Sequence, residues 1–158
     1  MKDVALIAVN MDEGYTPCEN AETAIGNSLE FIEKIDPIEQ DTEEVIYGTF
    51  PILLVGKYGT QLEAYAQEGM SFQLHDTLSA STNEAGQSLE EVLDLLDIHN
   101  VYLCGLCTEQ ELRQLCTSLS QIKIRPYLLK GCIGYQSEES HERFLDEMKA
   151  SGVKVALK

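Results

Sequence analysis

Val101-Tyr102-Leu103-Cys104-Gly105-Leu106-Cys107-Thr108-Glu109-Gln110-Glu111 carries the chain from an apolar run, through a glycine, toward a helix. Val101 to Cys104 has the apolar character of a buried strand. Beyond Gly105, Leu112, Leu115, Cys116 and Leu119 recur at i, i+3, i+4 and i+7, the spacing of one helical face. A strand that hands over to an amphipathic helix is a βα unit. Repetition of such units produces a parallel sheet with helices on both faces.

The same alternation runs outward in both directions. Val4 to Val9 is continuously apolar, as a strand buried on both sides requires. Asn20 is placed to cap a helix in which Ile25, Leu29 and Ile32 share a face, ending near Asp36-Pro37. Phe50 to Val55 reads as the second strand, with Val45-Ile46-Tyr47 competing for that role. A helix over Thr60 to Glu68, closed by Gly69, precedes a brief third strand, Ser71 to Leu74. Leu89, Val92, Leu93 and Leu96 stripe the helix before Val101. Ile124 to Leu129 forms the fifth strand, and Pro126 puts it near an edge or marks a strand end. Phe144, Leu145 and Met148 share a last helical face, and Gly152 turns the chain into Val153 to Leu157. The expectation is one α/β domain over residues 1–158, a three-layer Rossmann-like fold. Its open parallel sheet has six strands in the order 3-2-1-4-5-6, with helices on both faces.

Composition narrows the function classes. With 44% apolar residues, four prolines and no apolar run near the length of a membrane span, the 158-residue chain reads as a folded, membrane-independent protein. Met1-Lys2-Asp3 leads into a short apolar run without a signal-peptide cleavage site, so cytoplasmic residence is expected. Five cysteines, at 18, 104, 107, 116 and 132, make an odd set and are expected to be free thiols. Twenty-seven acidic against 11 basic residues give a net charge of −16, which opposes nucleic acid and anionic membranes. Such acidity also suits an inhibitor or immunity-type protein aimed at a basic target, although a solvated acidic face is the plainer reading.

In open parallel sheets reactive groups gather at the carboxyl ends of strands. Three such ends hold Asn10-Met11-Asp12 with Tyr15, His75-Asp76-Thr77, and Gly105-Leu106-Cys107-Thr108 with Glu111. In these frames, and in Ser140-His141-Glu142 through Met148, the chain resembles the isochorismatase-like cysteine hydrolases. The resemblance implies that the family's catalytic Asp falls on Asn10, its Lys on His75, four residues before Ser79-Ala80-Ser81, and its nucleophilic Cys on Glu111. It also implies ligand-facing roles for Asp12, Tyr15 and Thr108. Active members use the Asp as base, the Lys as charge partner and the thiolate as nucleophile toward amides, and all three are replaced here. Asn10 cannot take a proton, and Glu111 would set a negative charge where an oxyanion develops.

Each replacement also has a structural reading. Thr108 with Glu111 is a capping-box pattern, His75 suits an ordinary polar strand end, and Asn10 suits a turn that bonds backbone amides. Cys107, in the loop opening the fourth helix, is the candidate for a displaced nucleophile. Cys116 belongs to a core stripe, Cys104 to a strand, and Cys18 and Cys132 to loops. His75, His99 and His141 lack metal-ligand spacing, and Gly131-Cys132-Ile133-Gly134 is no phosphate loop, so neither a metal nor another cofactor is expected. Three functional expectations follow. The first is a catalytically degenerate member binding a small ligand or a protein partner. The second is a hydrolase of a small amide or enol ether, with His75 beside Asp76 or Asp12 as base, Glu111 as acid, and water or Cys107 as nucleophile. The third is the acidic interaction protein. Homo-oligomers are expected from the resemblance, with apolar residues of the 37–58 segment as a contact.

Overall fold

The computed structural model describes residues 3–12, 18–35, 51–63, 65–106 and 109–156. Its centre is β1 (Val4–Met11), in which every residue is buried. A strand is covered on both faces only inside a sheet that carries helices on both sides. The elements that follow are α1 (Ala21–Ile35), β2 (Ile52–Tyr58), α2 (Thr60–Glu63), β3 (Ser71–Phe72) and α3 (Leu89–Leu95). After these come β4 (Asn100–Leu106), α4 (Glu109–Gln121), β5 (Arg125–Gly134), α5 (Glu138–Ala150) and β6 (Lys154–Ala156). The sheet has the order β3-β2-β1-β4-β5-β6 with parallel pairing throughout, as expected.

Because side chains alternate across a strand, β1 supplies both cores. Ala5, Ile7 and Val9 point to the layer holding Leu93 of α3, Leu115 and Leu119 of α4, and Phe144 and Met148 of α5. Leu6 and Ala8 point to the other layer, with Ala24, Ile25 and Ile32 of α1 and Leu62 of α2. Ser88 caps α3 by accepting from the Glu91 amide at 3.1 Å, and its hydroxyl donates to the Glu91 carboxylate at 3.4 Å.

Several boundaries differ from expectation. The helix expected over 60–68 is one turn, followed by i to i+3 turns in which Tyr65 N–H donates to Leu62 O and Ala66 N–H to Glu63 O. β3 has two residues rather than four, because Gln73 N–H is drawn to Thr82 O and the chain leaves the sheet. β5 runs on to Gly134, since an irregularity opposite Leu103 to Gly105 lets pairing resume at Ile133 and Gly134. Cys132 is therefore a buried strand residue, not a loop residue. Pro126 lies in an interior strand, and its missing N–H is tolerated at the strand end because β6 pairing begins only at Tyr127. Leu53, Leu54 and Val55 are buried in β2 and cannot form the exposed contact expected of the 37–58 segment. The competing strand Val45-Ile46-Tyr47 and the helix end at Asp36-Pro37 lie outside the described residues. No helix among the described residues is long and apolar enough to cross a membrane.

Candidate functional site at the carboxyl edge of the sheet

Asn10 ends the regular part of β1 with φ of 48°, at a register shift between Val9 and Met11. Asparagine tolerates this left-handed region better than most side chains. The residue is 4% exposed, and its Oδ1 accepts from the Lys57 N–H at 3.0 Å. The close approach depends on Gly56, where φ is +80° and a Cβ would fall 2.1 Å from Asn10 Oδ1. Asn10 thus ties the ends of β1 and β2 together. Half-buried Asp12 follows, and a Cβ on Gly59 would lie 3.7 Å from its Oδ1. Gly56-Lys57-Tyr58-Gly59 also belongs to this edge. Its signal was present: two glycines around a lysine, directly after a buried apolar run, mark a close backbone approach.

His75 follows the edge strand β3, two strands from β1, and is exposed. Its main chain is held while its ring is not: His75 N–H donates to Ser81 Oγ at 3.1 Å, and that buried hydroxyl donates to Thr77 O at 3.0 Å. Asp76 is exposed beside it.

Glu111 lies in the first turn of α4 with Glu109, where a carboxylate meets the positive end of the helix dipole. It is half-buried and lines a cavity of about 320 Å3, together with Glu109, Gln110, Gln136 and Ser140. That cavity faces the start of α5, whereas the Asn10 side chain is engaged on the β2 side. Among the described residues no hydrogen bond or ion pair joins any two of Asn10, His75 and Glu111. Tyr15, Cys107 and Thr108 lie outside the described residues, and with them the capping box and the displaced nucleophile.

On the α5 side the fold uses Asn20 differently from expectation. Its main-chain O accepts from Ala24 N–H, as at a helix start, but its side chain crosses to β5. Nδ2 donates to Ile133 O at 3.0 Å and Oδ1 accepts from Tyr135 N–H at 2.8 Å. Tyr135 stacks on His141 with ring centres 4.7 Å apart. His141 is buried with Nδ1 unpartnered. Burial lowers its pKa, with Lys130 acting in the same direction against Glu142 and Glu138. Desolvation, and then Glu138, Glu19 and Glu142, raise that of Tyr135.

The expectation of uniformly free thiols is corrected at Cys18, which is disulfide-bonded. Its sulfur lies where a Cβ on Gly134 would meet it at 3.2 Å, so it packs at the end of β5. Cys104, Cys116 and Cys132 are free and buried. Burial pushes the Cys116 thiol up to about 12 and raises Cys104 and Cys132 as well, which disfavours the thiolate form of all three.

No protein-family model matches this chain, and no curated protein matches it. Solved structures do. An isochorismatase from Pseudomonas putida KT2440 superposes with a TM-score of 0.74 at 14% identity, covering 98% of this chain and 88% of that one. The nicotinamidase SaPncA from Staphylococcus aureus gives 0.73 at 16% identity, with 99% of both chains covered. The YcaC gene product from Escherichia coli, an octameric hydrolase of unknown specificity, gives 0.69 at 12% identity, covering 98% and 74%. The chain has the isochorismatase-like hydrolase fold. The resemblance read from its strand ends holds at the level of that fold.

Proposed function

We propose that this chain is a cytoplasmic protein of isochorismatase-like fold that has lost cysteine-hydrolase chemistry and retains binding of a small polar ligand at the carboxyl edge. The observation that carries the reading is Asn10. A neutral amide cannot take a thiol proton, and its oxygen is already occupied by the Lys57 N–H in a buried setting. A second support is the cavity beside Glu111, whose amides and hydroxyl (Gln110, Gln136 and Ser140) suit hydrogen bonding to a small polar molecule. The carboxylates of Glu109 and Glu111 would repel a developing oxyanion there.

The test has two arms. Small amides, imides and isochorismate-like enol ethers are expected to stay at background. Turnover of any of them, whether or not it survives Glu111→Ala and His75→Ala, would overturn the proposal. The second arm combines Asn10→Asp, His75→Lys and Glu111→Cys, because groups that act as a unit regain little singly. Asp at position 10 can accept the same Lys57 N–H and tolerates the same φ. Rapid iodoacetamide labelling at position 111, lost when Asn10 is left unchanged, is the expected result. The buried thiols of Cys104, Cys116 and Cys132 give a quiet background. A thiol at position 111 that labels no faster than free cysteine would mean that more than the three side chains has changed.

A further inference from the structure

At the opposite, amino edge of the sheet, α3 and the turn entering β5 enclose a cavity of about 560 Å3. Beneath its floor lie Leu93, Ile98 and Ile124, all buried in the core, and Ile122, 36% exposed, stands at its side. Leu95, next to the lining residue Asp94, is 70% exposed. Leu95 and Ile122 are the exposed large hydrophobic residues among the described positions, and Ile122 lines this cavity. Around the floor stand four carboxylates, Glu90, Glu91, Asp94 and Asp97. One lysine, Lys123, opposes them, and the ring of His99 lies between Asp97 at 3.7 Å and Asp3 at 3.9 Å.

An apolar floor ringed by one sign of charge selects a partner with the complementary pattern. We infer that this groove docks a basic amphipathic protein segment, its aliphatic side chains packed against Ile122 and its lysines or arginines on the acidic rim. A second copy of the chain is a poor occupant, because each copy carries a net charge of −16 and would bring acidic surface against acidic surface. Nucleic acid and anionic lipid are repelled for the same reason. The inference goes beyond the small-ligand reading and does not depend on it, since the groove lies at the other end of the strands.

The experiment titrates the full chain, isotope-labelled for amide NMR, with a synthetic helical peptide of leucines on one face and lysines on the other. Expected are shifts confined to residues 89–98 and 122–124 and affinity that falls with added salt. Glu90→Lys with Asp94→Lys should weaken binding about tenfold, as should Ile122→Ser. Glu139→Lys with Asp146→Lys makes the same change of net charge on exposed positions of α5 and should leave affinity within about twofold. Four results would overturn the inference: no shifts, shifts spread over every acidic surface, equal loss in the α5 control, or equal binding of an all-lysine peptide. Concentration-dependent self-association mapped to this groove would also overturn it, in favour of a second copy. Because the amide spectrum reports folding of each variant, loss of binding is separated from loss of structure. Activity assays on the carboxyl edge are unaffected by either outcome.

Discussion

Gly56 and Gly86 share a φ of +80°, yet a Cβ at Gly86 would meet nothing within 4 Å while one at Gly56 would strike Asn10 Oδ1. The pair separates backbone strain from steric exclusion. Gly86→Ala should cost about 1 kcal/mol, the price of the left-handed region alone. Gly56→Ala should cost about 3 kcal/mol, because the Asn10 bond to Lys57 must also give way. Urea unfolding of both variants checks this, and equal losses would mean that Asn10 moves aside freely. His141 makes the second prediction at this scale. Its folded pKa is lowered by burial, so the unfolded chain binds its proton first as pH falls. The stability this group contributes is complete above the unfolded value of about 6.5 and is lost as pH drops through the folded value. His141→Phe keeps a ring against Tyr135 and removes the unpartnered Nδ1. It should therefore flatten the pH dependence below about 6.5 and change neutral stability by no more than about 1 kcal/mol. Denaturant midpoints measured across pH for both proteins give the comparison, and the difference between them cancels the titration of the many carboxylates.

At the scale of elements, the first helix is held to the fifth strand by a side chain that its sequence position assigns to another task. Asn20 reads as a helix cap, since asparagine is favoured there, and its main chain does sit at the helix start. Its amide spans instead to Ile133 and Tyr135, positions far along the chain that no local pattern can foresee. Asn27 adds a further tie, donating to Gly131 O at 2.7 Å. Asn20→Ala should cost about 1–3 kcal/mol and leave the Tyr135 amide without its acceptor. Hydrogen exchange at Tyr135 should quicken in this variant while amides within β1 keep their protection. Unchanged exchange would show that the bond is not persistent. Where an element depended on contacts close in sequence it was legible: the Leu112, Leu115, Cys116, Leu119 stripe is buried as read. The two-residue β3 and the extension of β5 were not, because their ends are set by which neighbour offers a partner.

At the scale of the molecule, the acidic surplus governs association. The homo-oligomer expected from the sequence resemblance must form against this charge. With a charge of −16 on each copy, assembly should strengthen as salt screens the repulsion. Light scattering should give a mass above the 17.6 kDa of one chain, rising with ionic strength. A single-chain mass at high concentration and high salt would overturn that expectation. The groove at the amino edge points the same charge outward, toward partners of opposite sign.

What the amino-acid sequence determined by itself was the number and parallel sense of the strands, and the two apolar faces of β1. Those follow from short-range periodicity, and burial on both sides leaves few other arrangements. It also showed which residue types stand at the strand ends, and so which chemistry Asn10 cannot perform. Only the tertiary structure decided where those side chains are spent. Asn10 is bound across to Lys57, His75 is left in solvent, Glu111 is turned toward Gln136 and Ser140, and Cys18 is taken into a disulfide. The settings of Asn10 and Glu111 depend on groups from other segments brought near by the packing of the sheet, and a single sequence carries no record of that distance.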